Sequence, residues 1–119
     1  MKPVKPLEKH IQRDVIAWLA RNRVEAVAVP NGAVLAGDDR ARAMQAAALK
    51  RSGMSPGFPD LILFSRAHGV GFIEIKREGE KLRKEQADWS DKLQDYGQRW
   101  ATVRSVDDAR ETLREWGWL

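Results

Sequence analysis

Apolar residues recur at helical spacing near the start of the chain. Leu7, Ile11, Val15 and Trp18 form one stripe and Ile16 and Leu19 widen it, which predicts an amphipathic helix over residues 7–22. Pro6 precedes it as a suitable start. Glu25-Ala26-Val27-Ala28-Val29 reads as a short strand halted by the turn signal Pro30-Asn31-Gly32. Asp38 to Arg51 is rich in alanine and arginine and predicts a helix capped by Asp38 or Asp39, with Met44 turned to the core. Gly53, Pro56, Gly57 and Pro59 then exclude regular structure.

Two apolar runs follow, residues 61–64 and 70–75, and Ser65 to Gly69 between them is short enough for a hairpin loop. Leu82, Trp89, Leu93 and Tyr96 share one stripe of a further helix that stops at Gly97. Arg99 to Arg104 predicts a last strand, and Val106, Ala109, Leu113 and Trp116 a closing helix. The order α-β-α-β-β-α-β-α, without repeat or linker, suits one α/β domain over residues 1–119, a mixed sheet flanked by helices.

Composition narrows the function. The chain has 119 residues, 43% of them hydrophobic and 32% charged, enough for one core and unlike a disordered tail. The net charge of +4 favours a polyanionic partner. With no cysteine, disulfides, thiolate zinc sites and cysteine nucleophiles are excluded. Residues 1–6 lack the apolar run of a signal peptide, and no apolar stretch is long enough to span a membrane, so the expectation is a cytoplasmic protein of a bacterial or phage-infected cell, with no membrane partner.

The chemistry concentrates in Pro59-Asp60 and Glu74-Ile75-Lys76. Alternation puts Glu74 and Lys76 on one face of their strand, roughly 7 Å apart. Folding the hairpin about its loop brings Asp60 opposite the region of Ile75, so both carboxylates and the lysine collect at one end. Two carboxylates there can hold a hard cation such as Mg²⁺, with the Ile75 backbone carbonyl as a third ligand, and Lys76 can orient water or stabilise charge on a phosphate. Glu74 also interrupts an otherwise apolar strand, where an unpaired carboxylate is unfavourable. Gln86 falls on an apolar helical stripe and either faces the sheet or caps its helix. Glu8, one turn before Gln12, either reaches the metal through water or complements the helix dipole.

These residues together resemble the VRR-NUC family (virus-type replication-repair nucleases) of the PD-(D/E)xK superfamily. The match is carried by Glu8-x-x-x-Gln12, Pro30-Asn31-Gly32, Gly57-Phe58-Pro59-Asp60-Leu61, Phe72-Ile73-Glu74-Ile75-Lys76, Gln86 and Gly97. The resemblance implies an αβββαβ core and Mg²⁺- or Mn²⁺-dependent phosphodiester hydrolysis. In it Asp60 and Glu74 bind metal, Lys76 is the catalytic lysine, and Glu8 and Gln86 support the site. Stand-alone members of this size look like homodimeric nucleases that resolve Holliday junctions.

Arg40, Arg42, Lys50 and Arg51 cluster on one helix, and Arg77 and Lys81 follow the motif, where they would contact DNA phosphates. The interleaved Glu78, Glu80 and Glu85 allow a merely solvated face instead. Trp116 and Trp118 read as core or as a dimer surface, and His68 lies at the hairpin tip, away from the acids. The alternatives are a flap, nick-directed or restriction-type endonuclease, and a non-catalytic nucleic-acid-binding module.

Overall fold

The computed structural model describes residues 5–30 and 35–119; Asn31 and Gly32 of the expected turn lie outside these described residues. The elements are α1 (Glu8–Arg21), β1 (Val24–Ala28), α2 (Asp39–Arg51), β2 (Leu61–Ser65), β3 (Gly69–Ile75), α3 (Lys84–Asp95), β4 (Arg99–Val103) and α4 (Val106–Glu115). One four-stranded sheet runs in the order β1-β2-β3-β4. Its first two pairings are antiparallel, and β3 pairs with β4 in parallel across the α3 crossover. With α2 inserted and α4 appended, the frame is αβββαβ. No helix among the described residues is long and apolar enough to cross a membrane.

Period-two alternation divides the sheet between two tasks. Leu61, Leu63, Ile73, Ile75 and Val103 join Ile11, Val15 and Leu19 of α1 and Ala109 and Leu113 of α4 in one core. Each such side chain, fully buried, stabilises the fold by about 1.5–3 kcal/mol. Phe72 and Glu74, one residue out of phase, therefore belong to the opposite face. Fixing β3 by this aliphatic core is what sends the Glu74 carboxyl to the α3 side.

Two expectations about apolar residues need correction, and for the C-terminal tryptophans the core alternative holds. Met44 is 64% exposed rather than core, and among the described residues no residue of α2 is buried and α2 runs closely along no other helix or strand. Its apolar residues are mostly alanines, which bury too little surface to hold a helix against a sheet. Tyr96 is 69% exposed because α3 ends at Asp95, and Leu82 lies ahead of the helix rather than in it. The C-terminal tryptophans serve the fold instead of presenting an open surface. Trp118 is buried and stacks on His68 at 5.8 Å, and Trp116 lies so close to Gly71 that a Cβ there would meet its ring at 2.5 Å.

Of the two acids expected to cap α2, Asp38 does so. It accepts the Ala41 N–H, and Ser105 caps α4 by accepting that of Asp108.

Candidate active site

The hairpin register pairs Leu61 with Ile73, so one step further Asp60 opposes Glu74. The ladder stops there, and an Asp60 side-chain oxygen, Oδ2, accepts the Ile75 N–H at 2.7 Å. The Asp60 carbonyl meanwhile accepts the Val29 N–H at 2.8 Å, just past β1. The residue is thus clamped where three chain segments meet, and its carboxyl is aimed at the end of β3.

Glu74 is 2% exposed. Its Oε1 accepts from Gln86 Nε2 at 3.0 Å, while Gln86 Oε1 accepts the Arg83 N–H at 2.9 Å and closes a capping box on α3. The two expectations for Gln86 are therefore both met by one side chain. The buried Oε2 of Glu74 has no hydrogen-bond donor. Asp60 lies opposite Glu74 in the register, and two ionised carboxylates offer each other no proton, so a shared proton or a cation would satisfy that oxygen. Burial above all, then hydrogen bonding to Asp60 and its charge, push the Glu74 carboxyl up to about 9, with Lys76 opposing.

Lys76 is buried beside this pair and anchored by its N–H to Val103. All three groups open into a cleft of about 460 Å³, together with Glu8, Glu80, Lys81, Arg83 and Gln86. Partial burial, then a hydrogen bond to Glu80 and the Glu80 charge, raise the proton affinity of Glu8, against a lowering pull from Lys76.

Glu80 was not legible as a site residue; the interleaved acids read as a solvated face. A turn through Gly79 (φ +84°) folds the segment back, and remote groups hold it there. Lys5 Nζ donates to the Glu78 carbonyl at 3.0 Å, and Arg104 Nη2 to the Glu80 carbonyl at 2.6 Å. Arg77 is engaged with the N-terminal segment, donating to the carbonyls of Pro6 and Lys5. Of the cations expected to meet DNA, Lys81 lines the acid cleft, whereas Arg40, Arg42, Lys50 and Arg51 lie along α2 outside it.

The donor set suits a hard cation. Among the described residues no three His, Asp or Glu side chains surround a common point, so the Asp60–Glu74 pair needs oxygen from elsewhere. In a strand the N–H and C=O of one residue point to the same side. The Ile75 carbonyl therefore shares the side on which its N–H meets Asp60.

Gln86→Ala strands both the Glu74 carboxyl and the α3 N-terminus. Urea unfolding should show a loss of about 1–3 kcal/mol. An unchanged midpoint would mean that the buried bridge contributes nothing.

A solved structure of a VRR_NUC domain protein is similar at a TM-score of 0.67, over 95% of this chain and 89% of its own, with 21% sequence identity. At that identity the likeness speaks for the fold alone. No curated protein matches the chain. The profile of the VRR-NUC domain matches residues 7–107, a span that runs from the start of α1 through all four strands and takes in the acid pair, Lys76 and Gln86. The chain therefore belongs to the VRR-NUC family of nuclease domains.

Proposed function

We propose that this protein is a divalent-cation-dependent DNA endonuclease that acts as a homodimer on branched DNA, four-way (Holliday) junctions foremost. The observation that carries the reading is the buried Glu74 carboxyl, opposite Asp60 in the register and with one oxygen lacking any donor, next to a buried lysine. Asp60, Glu74 and the Ile75 carbonyl would hold Mg²⁺ or Mn²⁺. When bound, such a cation polarises the scissile phosphodiester and makes water more acidic. The Lys76 ammonium is placed to stabilise the negative charge that develops on the phosphate oxygens. Glu8, with its raised proton affinity, stands at the cleft edge to take up a proton from water. Lys81 and Arg83 add positive charge along the same cleft.

Support for a dimer comes from α2. Among the described residues α2 buries no side chain and runs closely along no other helix or strand, a state that a covering partner would relieve. The radius of gyration, 15.7 Å, also exceeds the value of about 13.5 Å expected for a compact chain of this length. A second copy covering the outer side of α2 would account for both. It would also place two identical sites about a twofold axis, as paired nicks in a four-way junction require.

Cleavage of four-way junctions, flaps, nicked duplex and linear duplex with Mg²⁺ tests this reading. Paired nicks in the junction are expected, and Lys76→Met should slow them by about 10²–10³-fold while DNA binding persists. Equal cutting of all four would leave a nuclease without branch selectivity. No cutting of any would favour a binding module, and a strictly monomeric protein in solution would remove the basis for paired cuts.

A further inference from the structure

On the α3 side of the sheet lies a second cavity, of about 620 Å³, for which the reaction above has no use. Its walls include Ile62 from β2, Trp89 from α3, Leu49 from the end of α2, and Met54, Ser55 and Phe58 from the loop before β2. Met54 and Phe58 also wall a smaller space of about 240 Å³ that ends on Asp60 and Glu74. The apolar cavity and the acid cleft are therefore neighbouring rooms with a common partition.

The aromatic walls are held in place before any ligand arrives. The Trp89 indole N–H donates to Ser55 Oγ at 3.0 Å, and Phe58 meets Trp89 edge-on at 4.9 Å and Phe72 at 5.9 Å. Cations stand beside two of its walls. Lys50 and Arg51 follow Leu49 in the last turn of α2, and Lys92 Nζ lies 4.4 Å from the Trp89 ring centre. An apolar peptide has no use for such a rim, whereas a nucleotide needs apolar or aromatic walls for its base and cations for its phosphates. The Ser55 hydroxyl, already accepting from Trp89, keeps a proton to donate to a base edge.

We propose that this cavity receives one unpaired nucleobase, from a nucleotide next to the phosphodiester cut at Asp60 and Glu74. The proposal rests on the nuclease reading and deepens it. A base stacked in intact duplex cannot enter, whereas a base in a single-stranded flap, or one whose pair opens at a branch point, leaves its stack at lower cost. Selection of branched DNA then follows from one pocket, without any base-reading motif.

The test uses Leu49→Trp, which fills the cavity from the half-buried last turn of α2. An Asp60→Asn protein is titrated with a branched oligonucleotide carrying 2-aminopurine at the unpaired position. Its fluorescence should change on binding, and adding Leu49→Trp should abolish the change and weaken binding roughly tenfold, within the range of a lost base contact. An oligonucleotide abasic at that position should bind both proteins equally. Identical 2-aminopurine signals with and without Leu49→Trp overturn the pocket, as does a Leu49→Trp effect confined to the monomer–dimer balance, which would assign the cavity to a second copy. Failure of the nuclease reading is seen separately, as DNA cleavage by the wild type that does not exceed that of Asp60→Asn.

Discussion

Glu74→Gln is expected to make the metal-free protein more stable at neutral pH while removing its ability to cut DNA. The gain arises because the native environment of Glu74 prefers a neutral group. The carboxyl is pushed up from 4.5 to about 9, chiefly by burial and then by Asp60. A group whose native pKa is raised contributes its full stability below its unfolded pKa and loses it as pH climbs toward the native value. The wild type should therefore weaken progressively from pH 4.5 to about 9, by about 1.4 kcal/mol per pH unit. Glutamine carries no proton to lose, so its advantage should be near zero below pH 4.5 and about 3 kcal/mol at pH 7. Urea unfolding of both proteins across this range, without divalent cations, measures the gap. Parallel stability curves would show that burial and Asp60 do not set the charge of Glu74.

The loss of activity follows from the same geometry. A glutamine amide can donate to Asp60 and satisfy the position that Oε2 leaves without a donor, but it no longer brings the negative charge that a cation requires. Mg²⁺ should accordingly stabilise the wild type increasingly as pH rises, and Glu74→Gln hardly at all. Stability and function thus pull on this one carboxyl in opposite directions, as is common where a charged group is held in a site built for a ligand.

That conflict explains why the centre of the site was legible in the sequence. A glutamate between two isoleucines breaks a strand that would otherwise be wholly apolar, and hairpin arithmetic carries Asp60 to it across a short loop. Gln86 stood out for the same reason, as a polar residue on a buried helical stripe. Glu80 gave no such sign. Its place depends on a hydrogen bond from Arg104, 24 residues later, and on the turn that Lys5 steadies from the far end of the chain. Nor does periodicity say whether a helix finds something to pack on. The pattern of α2 predicted a buried Met44, yet a helix of alanines has too little apolar surface to hold it down. The hairpin and the crossover helix were readable because their partners are close in sequence. For Trp116 and Trp118 the sequence left core and dimer surface both open, since Gly71 and His68, which receive them, lie more than 40 residues away.

Gly57→Ala is expected to disable the protein from a position that carries no chemistry at all. Gly57 is buried in the loop leading to Asp60, at φ +84°, and an added Cβ would sit 2.4 Å from the Glu85 carbonyl carbon and 2.5 Å from its oxygen. The obstruction is backbone, so no side-chain rotation relieves it. Either the loop or the first turn of α3 must move. The loop fixes Asp60, and the turn fixes Gln86 and through it Glu74, so either motion separates the acids from their supports. The left-handed conformation costs alanine about 1–2 kcal/mol and overpacking a further 1–3 kcal/mol, so a stability loss of about 2–5 kcal/mol is expected. Cleavage should fall by roughly 10²-fold even where the protein stays folded, as for a displacement of about 1 Å in a catalytic group. Gly97→Ala is the matched control: its φ is +80°, but nothing lies within 4 Å of the added carbon. It should lose only the conformational part and keep its rate, measured by urea unfolding and junction cleavage side by side. If the two substitutions behave alike in both measurements, the close approach of the loop to α3 does not position the site.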